Sequence, residues 1–224
     1  RNKKNGDVSF IALDGKNKFI HGDISVTPDM SNVWVPCNSS KRIGKINTEK
    51  NQFDNYFDYS PHFSFLNLNS SVENQFYITT VGSKNELFVV DAAYKKIIVV
   101  DADNHTLLRE REITRIGINF AQWSKIHNSI LIGFHNSQKI QCWDSKTLSF
   151  KYEIDSVATK YGSLVALSDD GNLLAVRMQG KAGTKNRAED NDESEIGIFE
   201  IKTGRRIKTV SDPNAKEAVG INFI

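Results

Sequence analysis

The chain has 224 residues, of which 39% are hydrophobic, 10% aromatic and 25% charged, a balance that supports a buried core and excludes a disordered or fibrous chain. Its 29 Lys and Arg residues against 27 Asp and Glu leave a formal charge of +2, which permits nucleic acid as a partner without marking a footprint for it. No run approaches about 18 apolar residues and no apolar stretch follows the polar start Arg1 to Gly6, so neither a membrane-spanning helix nor a secretory signal is expected.

Taken in chain order, Val8 to Leu13 and Phe19-Ile20 read as the closing strands of one unit. A strand at Ile24 to Thr27, a turn at Pro28-Asp29, apolar runs at Val33 to Val35 and Ile43 to Ile46, a turn at Asn47 to Lys50 and a strand at Phe53 to Phe57 make the first full copy of a four-strand pattern. The second copy runs through Tyr77 to Thr80, Phe88 to Val90, Ile97 to Val100, a turn at Asp101 to Asn104, and an outer strand opened by Leu107-Leu108 with Arg109, Glu110 and Arg111 expected to face water. The third has Asn119 to Trp123, Ile130 to Phe134, Ile140 to Trp143, a turn at Asp144 to Thr147, and Leu148 to Ile154. The fourth has Leu164 to Ser168, the turn Asp169-Asp170-Gly171, Leu173 to Val176, an insertion, Ile196 to Ile201, a turn at Lys202 to Gly204, and Ile207 to Val210. Continuous Val- and Ile-rich runs bounded by turn residues are the mark of strands buried on both faces. Charges on the outer strand of the second copy suit an edge that must not pair with a stranger.

The positions Ile46, Val100, Trp143 and Phe199 recur at intervals of 54, 43 and 56 residues. The shortest fits the roughly 40 to 45 residues of a four-stranded blade, and the excess in the others matches the extra segment Tyr59 to Ser71 and the insertion Lys181 to Asp192. Such a unit cannot bury its faces alone, so its copies must stack side by side. The expected fold is all-β, a single-domain β-propeller of four-stranded antiparallel blades over residues 1–224, with about four recognisable blades and a partial one at each end. The terminal Ala218 to Ile224 reads as the first strand of a following blade. If the two ends share a blade the ring closes with few blades; otherwise the chain is a fragment of a larger ring.

The search for chemistry returns little. His21, His62, His105, His127 and His135 form neither an i, i+4 pair nor a His-x-His, so no metal site is expected. No nucleophile elbow or phosphate-binding glycine loop is present, and neither catalytic residues nor a cofactor are assigned. Cys37 and Cys142 lie 105 positions apart inside apolar strand patterns and read as reduced, structural thiols of an intracellular protein. The Asn-x-Ser/Thr triplets at Asn38, Asn69 and Asn104 read as coincidences of an Asn-rich chain.

Two departures from the repeat are the candidate partner-binding segments. The insertion from Gln179 to Glu195 places Lys181, Lys185 and Arg187 before Glu189, Asp190, Asp192, Glu193 and Glu195. Without apolar residues it reads first as a solvated loop and second as a contact arm. The stretch Phe53 to Phe65 alternates apolar residues; its rings are expected between adjacent blades, with an exposed anchor patch at Tyr59, Phe63 and Phe65 as the competing reading.

Ile140-Gln141-Cys142-Trp143-Asp144, followed by Ser168-Asp169-Asp170-Gly171-Asn172 at the opening of the next blade, resembles the WD40-repeat family, whose third strand ends in Trp-Asp and whose second strand follows an SPDG-like turn. Elsewhere the Trp-Asp position reads Ile46-Asn47, Val100-Asp101 and Phe199-Glu200. In place of the family's Gly-His stands His21-Gly22-Asp23. Val33-Trp34-Val35-Pro36 with Lys41-Arg42-Ile43-Gly44-Lys45-Ile46 is also similar to blades of YVTN-type and streptogramin-lyase-like propellers. The first resemblance implies a non-catalytic scaffold that joins other proteins in a larger complex, in the cytoplasm or nucleus. The second implies a lyase- or lactonase-type propeller enzyme with a site in its central channel. A third expectation, a subunit associated with RNA or DNA, rests on Arg205, Arg206 and Lys208.

Overall fold

The structure is a computed structural model that describes residues 24–27, 29–37, 42–59, 76–81, 86–91, 96–114, 118–134, 139–154, 165–178 and 195–211. The expected strands Val8 to Leu13, Phe19-Ile20 and Ala218 to Ile224 lie outside these residues.

Within them the chain forms 16 strands and no helix. The first sheet comprises β1 (Ser25–Val26), β2 (Asn32–Cys37), β3 (Arg42–Asn47) and β4 (Gln52–Asp58), and the second β5 (Phe76–Val81), β6 (Glu86–Asp91), β7 (Lys96–Asp101) and β8 (Leu107–Glu112). The third holds β9 (Ile118–Ser124), β10 (Ser129–Phe134), β11 (Ile140–Asp144) and β12 (Phe150–Ile154). In the fourth are β13 (Val165–Leu167), β14 (Leu173–Met178), β15 (Glu195–Glu200) and β16 (Arg206–Ser211). Each sheet is an antiparallel meander with its strands in chain order. No helix among the described residues is long and apolar enough to cross a membrane.

The continuous apolar runs are explained by where alternate side chains go. In β6, Leu87 and Val89 point into a core shared with Trp34, Ile43, Phe57 and Tyr59 of the first sheet. Phe88 and Val90 point the other way, into a core shared with Ile118, Ile130, Ile132, Phe134 and Trp143 of the third. Leu131, Cys142 and Ile154 turn from the third sheet toward Leu174, Val176 and Phe199 of the fourth. The period-2 geometry of a strand thus loads both faces of the middle sheets, and the four sheets stack face to face in chain order. Each fully buried Leu, Val, Ile or Phe contributes roughly 1.5–3 kcal/mol. The first strands of successive sheets approach one another, β1 to β5 and β5 to β9.

The turns repeat as faithfully as the strands. Asn47, Asp101, Asp144 and Glu200 each end a third strand, and four residues later the backbone is left-handed: φ is 52° at Asn51, 62° at His105, 53° at Leu148 and 68° at Gly204. Asp144 Oδ1 accepts the N–H groups of Lys146 and Thr147, each at 2.9 Å, and Asp101 Oδ1 those of Asp103 and Asn104 at 2.8 and 3.0 Å. A register shift sits beside each of Ile46, Val100, Trp143 and Phe199, where the fourth strand begins to pair. The last strand of the third copy therefore begins at Phe150 rather than at the expected Leu148, which belongs to the turn. Its side chain is 1% exposed, and burial outweighs the cost of the left-handed conformation for a residue with a Cβ.

These turns carry a pH signature. Burial raises the Asp144 carboxyl, but the N–H of Thr147, the Lys151 ammonium, the N–H of Lys146 and the Thr147 hydroxyl together lower it to about 2. A folded-state value below the ordinary one contributes stability that is present above about pH 4 and lost as pH falls toward 2. Asn47 already shows that an amide oxygen fills this position, accepting the Lys50 N–H at 2.9 Å. Asp144→Asn is therefore expected to flatten the fall in unfolding free energy between pH 4 and pH 2, followed by urea titration; an unchanged slope would count against it.

Candidate functional site

Of the residues singled out from the sequence, Lys181, Lys185, Arg187, Glu189, Asp190, Phe63 and Phe65 lie outside the described residues. Tyr59 is described, and its exposure is 0%. It packs with Trp34, Ile43 and Phe57 against Leu87 and Val89, so it is no exposed anchor; its place between two sheets is the one the alternating pattern favoured. Position 59 follows directly on β4, at the level where the adjoining sheet covers the first.

His105 and His127 are the described histidines. His105 stands in the left-handed position of its turn, its ring 4.9 Å from that of Phe57. Burial, and then Lys45, lower its basicity against the pull of Asp101 and Asp103. Lys45 lies 5.4 Å above the Trp34 ring and 3.6 Å from the Asp103 carboxylate, making this a polar seam between the first and second sheets. The carbonyl of His127 accepts Ser129 Oγ at 2.9 Å and Lys151 Nζ at 3.1 Å. Among the described residues no three His, Cys, Asp or Glu side chains gather as a metal site. A surface hollow is lined by Lys96, Glu110, Arg111 and Glu112; Lys96 and Glu110 close on each other at 2.7 Å, so charge there is spent within the protein.

Cys142 is a free, fully buried thiol. Burial pushes its pKa up to about 12, and only the thiolate is nucleophilic. Iodoacetamide at pH 8 is expected to leave Cys142 unmodified in the native protein and to alkylate it in urea, as read by peptide mass spectrometry. Rapid native labelling would contradict this burial.

What the structure offers outward is the set of fourth strands. The charges of β8 were expected in water, and Glu110, Arg111 and Glu112 are exposed. Arg109 is different: its guanidinium meets Glu86 at 2.5 Å and the Ser145 carbonyl at 3.3 Å, tying the second sheet to the third. In β12, Glu153 binds Lys139 at 2.8 Å, and Lys151 binds Asp144 at 3.2 Å. Three cations in and just before β16 differ from these. Lys202 and Arg205 in the preceding turn and Lys208 in the strand are exposed, with no side-chain partner among the described residues. In the same strand Ile207 and Val210 are 47% and 40% exposed, and on the neighbouring sheet Phe150 is 50% exposed. The sequence had marked Arg205, Arg206 and Lys208 as basic; it gave no sign that Ile207 and Val210, read as the bounds of the last strand, stay in water.

No protein-family model and no curated protein matches the chain. Among solved structures, a chain of Kuenenia stuttgartiensis hydrazine synthase is similar to it, with a TM-score of 0.65 and 14% sequence identity, over 91% of this chain and 51% of that one. The likeness is one of fold. The chain spans about half the length of that neighbour.

Proposed function

We propose that this protein is a non-catalytic protein-interaction scaffold, a WD40-like β-propeller held in whole or in part by this chain, acting as an intracellular subunit of a larger assembly. The observation that carries the proposal is the contrast between the interior and the rim. Both faces of the middle sheets are spent on packing against neighbours, while the fourth strands turn exposed apolar and charged side chains outward. A rigid stack with variable outer surfaces is a suitable frame for holding partners. Serial four-stranded sheets, whose third and fourth strands are joined by Asp- or Asn-capped turns, support the propeller reading, and the free thiol of Cys142 supports a reducing compartment. Affinity purification of the full-length protein tests it: stoichiometric protein partners are expected, and a chain recovered alone overturns the scaffold.

A further inference from the structure

We propose that β16 is a docking edge for an extended acidic segment of a partner protein, one in which carboxylates alternate with apolar side chains. This rests on the scaffold reading and names the partner chemistry of one of its surfaces. Among the described residues β16 lies at the edge of its sheet and pairs with β15 alone. Along its other side the N–H and C=O groups of alternate residues therefore face outward, the template on which an added strand forms.

Edge strands are commonly defended by charge, and the other three fourth strands all carry carboxylates that would repel an acidic strand: Asp54 and Asp58 in β4, Glu110 and Glu112 in β8, Glu153 in β12. β16 carries none. Its Lys208 extends the cationic turn of Lys202 and Arg205, and the nearby Glu200 carboxylate is engaged by the Thr203 hydroxyl at 2.5 Å. Among the described residues Lys202, Arg205 and Lys208 thus gather positive charge along this one edge.

The apolar residues decide between polyanions. A nucleic acid would use the cations and leave Ile207 and Val210, 47% and 40% exposed, in water. An extended peptide uses both, with main-chain bonds supplying affinity and alternate side chains supplying specificity. Six residues of strand span roughly 20 Å, so a matching segment is about as long.

The test is fluorescence anisotropy on the whole chain with three labelled probes: a peptide alternating Glu and Val, its Lys-Val counterpart, and a thymidine oligonucleotide. The Glu-Val peptide is expected to bind best and to weaken with added salt. The double variant Arg205→Glu/Lys208→Glu, verified as folded by circular dichroism, should weaken it by about tenfold or more, since two attractive charges become repulsive. The matched reversal Lys50→Glu/Lys146→Glu, on turns of other sheets, should leave it unchanged. Tighter binding of the oligonucleotide, equal loss in both variants, or no loss in the first overturns the proposal. Affinity purification separates this from the broader reading: partners recovered equally by wild type and Arg205→Glu/Lys208→Glu remove the β16 edge and leave the scaffold, whereas no partner for the wild type removes both.

Discussion

Gly133→Ala is expected to lower the unfolding free energy by about 1–3 kcal/mol, the usual cost of forcing an extra methyl into a filled core. Gly133 lies opposite Phe120 across the β10–β9 pair, and the ring occupies the space a side chain would take. A Cβ at position 133 would stand 2.0 Å from Phe120 Cε1, 2.5 Å from Cδ1 and 2.7 Å from Cζ. The ring is 1% exposed and packed in the core between the third and fourth sheets, so it cannot swing away without opening a void. Phe120→Leu in the Gly133→Ala background should recover part of the loss, giving a coupling energy in a double-mutant cycle that two independent sites would not show. Denaturation in urea reads both numbers. A Gly133→Ala protein within about 0.5 kcal/mol of wild type would mean that the ring does not fill the site as described.

Phe199→Ala is expected to cost more, about 3–5 kcal/mol, because it removes a whole buried ring. Phe199 is 0% exposed and sits opposite Leu174 in the same core as Val176 and Ile201. Ile46 holds the equivalent place in the first sheet, beside the same register shift, but is only half-buried. Ile46→Ala should therefore cost clearly less than Phe199→Ala. Equal losses would show that place in the repeat, rather than burial, sets the energy.

The strands were legible because two periods coincided: alternating contacts on both faces wrote continuous Val and Ile runs, and turn residues closed each run. The hairpins after the third strands were legible through Asp101 and Asp144, whose carboxylates cap the turn and are short enough to do so. Leu148 misled, since a left-handed leucine looks like strand until the tertiary burial that holds it is known. Arg109 misled in the same way: its neighbours in sequence place it on a wet edge, while its partners, Glu86 and the Ser145 carbonyl, come from another strand and another sheet. The turn before β2 was read only as Pro28-Asp29, yet it repeats the bonding of the Ser168 turn: Thr27 Oγ1 accepts the Asn32 N–H at 3.0 Å as Ser168 Oγ accepts that of Leu173 at 2.9 Å. Hydroxyl chemistry, common to Thr and Ser, was the signal available there. The candidate surface was half legible, as a basic stretch whose exposed aliphatic members depend on which sheet face has a neighbour.

Every apolar cluster of the described structure lies between two sheets, and this has a consequence for how the chain divides. A single sheet owns no interior; each inner wall belongs to two of them. Removing the chain up to Asp58, or from Val165 onward, would not shed a peripheral module but bare a wall, Leu87, Val89, Ile98 and Val100 at one boundary or Leu131, Cys142 and Ile154 at the other. Stability then accrues interface by interface, as in linear repeat arrays, and the smallest piece with a dry centre is a neighbouring pair.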